Sequence, residues 1–329
     1  MGPLRTGPCS TLSHPSRKTG VPSDRSSSLG WKNKYAARVG HPHPYIFFEN
    51  AFVGLLLLIA ACPAPAQQAA EPQLFSQSAT ATLERNFPSP NLSYLLLDGS
   101  GKVLAERWAT PPDLAQQAVS PGSLVKPFLA IAYGEQHGGR FPTVRCLGTE
   151  SHCWLPRGHG NPGLEEAIAQ SCNAYFLELA AGLDRQRGAQ TLARYGLAGP
   201  PITATAESLA GLGSAWKETP LALARAYLQL VNEQQSSVQS RIVKGMLGSA
   251  ERGTARAVDA ALGRNAALAK TGTAACSHTP RGAADGFTVV LYPAAQPRLL
   301  LLVRVHGVTG AASAKVAGAM LRSLGAGER

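Results

Sequence analysis

Apolar positions along the chain follow two different periods. Ser93-Tyr-Leu-Leu-Leu-Asp98 and Lys102-Val-Leu-Ala-Glu-Arg-Trp108 flank Gly99-Ser-Gly101, which predicts two strands joined by a tight turn. From Pro121-Gly122 to about Gln136 the pattern changes. Leu124, Val125, Phe128, Leu129 and Ala132 recur at three- and four-residue spacing, as on one face of a helix. Pro127 falls in the first turn, where a missing N–H costs little. Ala/Leu-rich segments near 163–182, 185–195 and 219–234 continue the helical run, with Gly and Pro between them. Strand-like runs return at 267–274, 286–292 and 298–305, and an Ala-rich helix over about 311–324 closes the chain. Strands at both ends of a helical middle predict an α/β (α+β) fold: one antiparallel sheet from both chain ends, with residues 120–250 forming a helical lobe.

The first 66 residues read differently. Residues 1–44 are rich in Gly, Pro, Ser and Arg without apolar periodicity, a composition too poor in buried surface to offset its ordering entropy, so disorder is expected. Residues 45–66 read as a signal peptide. The uncharged run from Ala51 to Cys62 is too short for a bilayer but fits an export h-region, and Ala64-Pro-Ala66 supplies a small-x-small cleavage site. Ile59-Ala-Ala-Cys62 also reads as a lipobox, with Cys62 as the lipidated residue, so two processing routes stand open. Both place residues 67–329 outside the cytoplasm, in the periplasm or cell envelope. The 44 residues ahead are foreign to such a leader and read as an extension from a misplaced start codon.

Composition narrows the class without naming it. Of 329 residues, 44% are hydrophobic and 16% charged, which is globular rather than disordered. The net charge is +11, but residues 1–66 carry +5 of it, so the body is only mildly basic and shows no nucleic-acid stripe. Cys146 and Cys153 sit close together in a loop-like stretch, and an exported chain permits either a disulfide or two free thiols there. His152 and His159 lie nearby, yet the spacing matches no zinc finger or ribbon, and no metal site is expected.

Three short patterns carry candidate chemistry. Ser123-Leu-Val-Lys126 puts a hydroxyl and an amine on one face of a helix start, where a desolvated lysine can act as base and free N–H groups can meet an oxyanion. Ser171-Cys-Asn173 and Lys270-Thr-Gly272 follow, in a helical segment and on a strand. Each spacing is cheap on its own. Ser214-Ala-Trp-Lys217, Ser89-Pro-Asn91 and Lys18-Thr-Gly20 fit equally well, but those lie in loops or in the tail.

The ordered set resembles the motifs of penicillin-binding proteins and class A β-lactamases. Ser120-Pro-Gly-Ser-Leu-Val-Lys-Pro-Phe128 looks like the nucleophile segment of penicillin-binding transpeptidases, and Gly158 to Phe176 like their second-motif region. Gly211-Leu-Gly213, Thr219 to Ala224 and Gly253-Thr-Ala255 resemble the run-up to Lys270-Thr-Gly-Thr-Ala274, so the likeness spans about residues 90–325. It implies a DD-peptidase/β-lactamase-like fold with the active site between the lobes. It also implies peptidoglycan stem peptides as substrate, β-lactams as covalent inhibitors, other cell-wall proteins as partners, and no cofactor. Carried over by position, Ser123 is the acylated nucleophile and Lys126 its base. Ser171 relays a proton to the leaving amine, and Asn173 binds a substrate amide. Lys270, Thr271 and Thr273 hold the terminal carboxylate, and Gly272 lets substrate lie against the strand. The N–H groups of Ser123 and Thr273 form the oxyanion hole.

Two distinctions among lysines and functions follow. Lys126 is expected buried and neutral, and Lys270 charged on a more open strand edge. The resemblance leaves transpeptidase and carboxypeptidase open, with a serine β-lactamase or a degenerate muropeptide-binding module as alternatives. Glu207 stands where class A enzymes place a deacylating Glu, but the sequence around it, Glu207-Ser-Leu-Ala-Gly211, lacks their Leu-Asn and reads as surface. Some 50 residues between Ala66 and Ser123 are too few for a glycosyltransferase or pedestal module, which points to a bare transpeptidase domain.

Overall fold

The computed structural model describes residues 65–109, 117–233, 236–276 and 284–327. The expected disordered segment and nearly all of the expected leader, Cys62 included, lie outside the described residues. Among the described residues, no helix is long and apolar enough to cross a membrane.

In chain order the elements are α1 (Pro65–Asn86), β1 (Leu92–Asp98), β2 (Val103–Arg107), a 3-10 turn (Gly122–Val125) and α2 (Lys126–Gln136). Next come α3 (Leu164–Ala169), α4 (Asn173–Ala181), α5 (Arg185–Arg194), α6 (Ala206–Leu209), α7 (Pro220–Asn232), α8 (Ser237–Glu251) and α9 (Arg256–Leu262). The chain closes with β3 (Leu268–Ala274), β4 (Asp285–Tyr292), β5 (Leu299–Val305) and α10 (Gly310–Ser323). The five strands form one antiparallel sheet in the order β2-β1-β5-β4-β3, so both chain ends share a sheet as the sequence predicts.

Both faces of this sheet are covered, which explains why its strands read as continuous apolar runs. Leu95, Leu97, Val289, Leu291, Leu300 and Leu302 pack with the helical middle on one face. Tyr94, Leu96, Val290, Leu301 and Val303 alternate with them and meet α1, α9 and α10 on the other. The sequence pattern does not mark α1, whose buried residues Ala79 and Leu83 are few and whose composition is otherwise polar.

Within the helical lobe, α2 is buried from Lys126 through Gly134, the state expected of a helix apolar on every side. Phe128 lies edge-on to Tyr227, with centroids 5.1 Å apart, and the Tyr227 hydroxyl donates to the Leu124 carbonyl at 2.6 Å. These contacts fix the 3-10 turn that carries Ser123. That turn lies directly against β3, an edge strand of the sheet. Gly122, at φ +58°, permits the approach: a Cβ there would stand 2.5 Å from the Thr273 carbonyl oxygen. Gly272 permits it from the other side, since its Cβ would stand 2.7 Å from the Pro121 oxygen.

Candidate active site

Three structural elements deliver the three motifs to one place. Strand alternation puts Lys270 and Gly272 on the face of β3 turned towards the 122–125 turn. Ser171 occupies the connection between α3 and α4 with φ +52°, a left-handed conformation that a non-glycine residue adopts at some cost. The turn is closed by the N–H of Ser171 on the Ile168 carbonyl at 3.2 Å and that of Cys172 on the Ala167 carbonyl at 3.0 Å. Asn173 then opens α4.

Lys126 and Lys270 both reach Ser171. Lys126 Nζ donates to Asn173 Oδ1 at 2.6 Å, to the Ser171 carbonyl at 2.9 Å and to Ser171 Oγ at 3.4 Å. Lys270 Nζ donates to Ser171 Oγ at 2.9 Å and to the Thr271 carbonyl at 2.7 Å. The Ser123 hydroxyl makes no hydrogen bond among the described residues. It faces the same cavity as Ser171, a cleft of about 370 Å³ lined also by Asn173, Thr254, Thr271, Gly272, Thr273, Trp154 and Thr309. Among the described residues, no carboxylate lines it.

Both lysines are fully buried, with no acidic partner among the described residues, and burial disfavours a charged amine. It brings Lys126 down to about 7, against a smaller opposing influence of Cys172 and Cys153. Burial, joined by the like charge of Lys126, pushes Lys270 well below the usual lysine value. The expectation of an open, charged Lys270 is therefore corrected. The 3-10 turn and α8 both pack on β3, and Lys270 is fully buried there. In the absence of an acid on the cavity wall, the site holds two desolvated amines awaiting a negative charge.

The other sequence candidates separate cleanly. Ser214 and Lys217 are exposed between α6 and α7 and take no part in the cavity. Glu207 is exposed in the first turn of α6 and does not line the cavity either. Asn173 is already occupied: its oxygen receives Lys126, and its Nδ2 donates to the His152 carbonyl at 3.3 Å. Thr273 Oγ1 accepts the N–H of Gly310 at 2.9 Å, and Thr271 Oγ1 donates to Thr254 Oγ1 at 2.6 Å. Thr254 lies in the Gly253-Thr-Ala255 segment of the run-up, so its place was legible; Trp154 and Thr309 carried no signal.

Of the two alternatives left open for Cys146 and Cys153, the structure shows the second. Cys146 and Cys153 are free thiols, with no disulfide between them. A third free thiol, Cys172, joins them from the Ser171-Cys-Asn173 turn, and its Sγ lies 3.9 Å from Cys153 Sγ. In the sequence Cys172 occupies the variable position of the Ser171-Cys-Asn173 pattern, 19 residues from Cys153, and nothing local links it to the other two sulfurs.

The sequence profile described as Transpeptidase, the penicillin binding protein transpeptidase domain, matches residues 98–324. The chain belongs to this family. Its fold is that of solved members. The transpeptidase domain of Burkholderia pseudomallei penicillin-binding protein 3 is 18% identical with a TM-score of 0.60, over 77% of this chain and 93% of that one. Pseudomonas aeruginosa PBP2, solved in complex with WCK 5153, is 20% identical with a TM-score of 0.59, over 78% and 73%. The transpeptidase domain of the FtsI4 D,D-transpeptidase from Legionella pneumophila is 17% identical with a TM-score of 0.57, over 77% and 94%. No curated protein sequence matches the chain.

Proposed function

We propose that this transpeptidase-family chain is an exported serine acyltransferase that works on D-Ala-D-Ala-type peptidoglycan stem peptides through an acyl-enzyme on Ser123. The observation that carries this reading is the convergence of buried Lys126 and Lys270 on Ser171, beside an acid-free cavity lined by Ser123 and the β3 edge. Such a cavity favours an anionic peptide terminus. Lys270, with the Thr271 and Thr273 hydroxyls, meets the terminal carboxylate, and that charge restores the proton that burial disfavours.

The steps follow from the groups present. Ser123 Oγ attacks the carbonyl carbon of the penultimate D-Ala, and its proton passes to the neutral amine of Lys126. The N–H groups of Ser123 and Thr273 receive the developing oxyanion. The C–N bond breaks, and the leaving D-Ala amine takes a proton through Ser171, which stands between the two lysines. The ester on Ser123 is then cleaved by an amine, which makes a cross-link, or by water, which trims the peptide. A β-lactam enters the same first step and remains as a stable ester.

The test is turnover by the full chain on a stem pentapeptide ending in D-Ala-D-Ala, with and without an amine acceptor. The expected result is D-Ala release that disappears in Ser123→Ala; acceptor-linked product marks a transpeptidase and free tetrapeptide a carboxypeptidase. Penicillin binding without any D-Ala release would reject the catalytic reading in favour of a binding module. Rapid β-lactam hydrolysis would reject it in favour of a β-lactamase.

A further inference from the structure

Beside the catalytic groups, loop 146–160 folds over the α3–α4 turn with almost no apolar core of its own. Leu147 and Trp154 are exposed, and the side chains it does bury are those of Cys146 and Cys153. Its ends are joined by an isolated bridge in which the N–H of Cys146 donates to the Gly160 carbonyl at 2.7 Å. Two side-chain hydrogen bonds add to this bridge, from Trp154 Nε1 to the Gln170 carbonyl at 3.0 Å and from Asn173 Nδ2 to the His152 carbonyl at 3.3 Å, so only a few polar contacts tie the loop to the turn.

The buried sulfurs do not stand alone. Cys146, Cys153, His159 and Cys172 present one ligand atom each, and all four atoms lie within 4.8 Å of one another. His159 Nδ1 is 3.5 Å from Cys146 Sγ and 3.4 Å from Cys153 Sγ, while Cys153 and Cys172 Sγ are 3.9 Å apart. A tetrahedron with Zn–S of about 2.3 Å and Zn–N of about 2.0 Å has edges of about 3.8 Å between sulfurs and about 3.5 Å between sulfur and nitrogen. The three measured edges fall on those values. A disulfide would need the sulfurs about 2 Å apart. The far nitrogen of the same ring, His159 Nε2, is buried with no hydrogen-bond partner among the described residues, so the polar contacts of the imidazole run through its sulfur-facing Nδ1 while Trp154 packs edge-on against the ring.

We propose that Cys146, Cys153, His159 and Cys172 bind one zinc ion in a closed tetrahedral site that ties loop 146–160 to the Ser171–Asn173 turn. Three thiolates and one imidazole suit zinc rather than a hard oxygen-seeking cation. Four protein ligands leave no open position, so the ion is structural. It releases the thiol protons on binding and does no acyl-transfer chemistry. Its consequence for the site is positional. Cys172 is flanked by Ser171, which both lysines reach, and by Asn173, which receives Lys126 and holds the His152 carbonyl.

The test is made on the full chain purified under reducing conditions without chelator, and it does not depend on acyl transfer. Elemental analysis should find one zinc per chain, and zinc X-ray absorption should show a shell of three sulfurs and one nitrogen. Cobalt(II) loaded into the stripped protein should give thiolate-to-cobalt charge-transfer bands and the visible bands of a tetrahedral ion. Cys146→Ala/Cys153→Ala should lose the metal. Because that variant can fail to fold, hydrogen exchange on the unaltered chain supplies a second reading. Stripping zinc should raise exchange in 146–173 and leave β4–β5 unchanged. Absence of metal after zinc loading, a shell of oxygen and nitrogen only, a Cys146–Cys153 disulfide by peptide mapping, or unaltered exchange on stripping would each overturn the proposal.

Discussion

Lys126 and Lys270 approach the Ser171 hydroxyl to 3.4 and 2.9 Å, and neither has a carboxylate partner among the described residues. Two amines so placed cannot both hold a proton cheaply, since desolvation and mutual repulsion act in the same direction. The pair is poised to give up a proton until substrate brings in an anion.

The Lys126 amine, held at about 7, is mostly protonated below that pH and mostly neutral above it. Only the neutral form accepts the Ser123 proton, so the rate of acylation by a fluorescent penicillin should rise as pH passes upward through about 7 and then level off. Lys126→Arg cannot deprotonate and should show no such rise at any pH. A rate independent of pH from 5 to 9 would exclude Lys126 as the base.

Lys270→Ala removes the cation proposed to meet the substrate carboxylate. Loss of one such buried donor should slow acylation by about 100-fold or more, while Ser123 remains labelled at long times. Equal rates in the two proteins would place the carboxylate elsewhere.

Gly272→Ala tests the contact between β3 and the nucleophile turn. The added methyl would stand 2.7 Å from the Pro121 oxygen and 3.0 Å from Leu124 Cγ, so the strand and the turn must part. The expected outcome is a loss of about 1–3 kcal/mol in urea unfolding, together with a larger loss of acylation. A stable, fully active variant would mean that the turn is loosely held.

A stability prediction comes from the sheet. Asp285 is buried at 2.6 Å from Arg304 and 2.8 Å from His306. Burial alone would raise its carboxyl, but hydrogen bonds from His306 and Arg304 outweigh it and bring the group to about 2. Folded protein thus holds this carboxylate charged where the unfolded chain, near 3.8, begins to protonate. Its contribution is present above about pH 4 and fades as pH falls towards 2. Asp285→Ala, which removes the carboxylate paired with buried Arg304, should cost about 3–5 kcal/mol at neutral pH and flatten the acid limb of the unfolding profile.

Sequence alone carried much of this. The strands could be read because short apolar runs bounded by Gly and Pro are a local signal, and the three motifs because residue type and order survive without coordinates. Long-range packing was not legible. Lys270 looks like a strand-edge lysine until the 122–125 turn is laid across β3. Cys172 looks like a spacer until α3 and α4 bring it to Cys153. The sparse apolar positions of α1 give no hint that Leu83 completes the second face of the sheet.

Every step proposed above begins with acylation of Ser123, which mass analysis of a penicillin adduct reads out. The full chain is incubated with benzylpenicillin, and the adduct is located by intact mass and peptide mapping. One β-lactam per chain, on Ser123 within the segment Ser120–Lys126 and absent from Ser123→Ala, is the predicted result. An adduct on another residue, or none on a folded chain, would exclude Ser123 as the nucleophile.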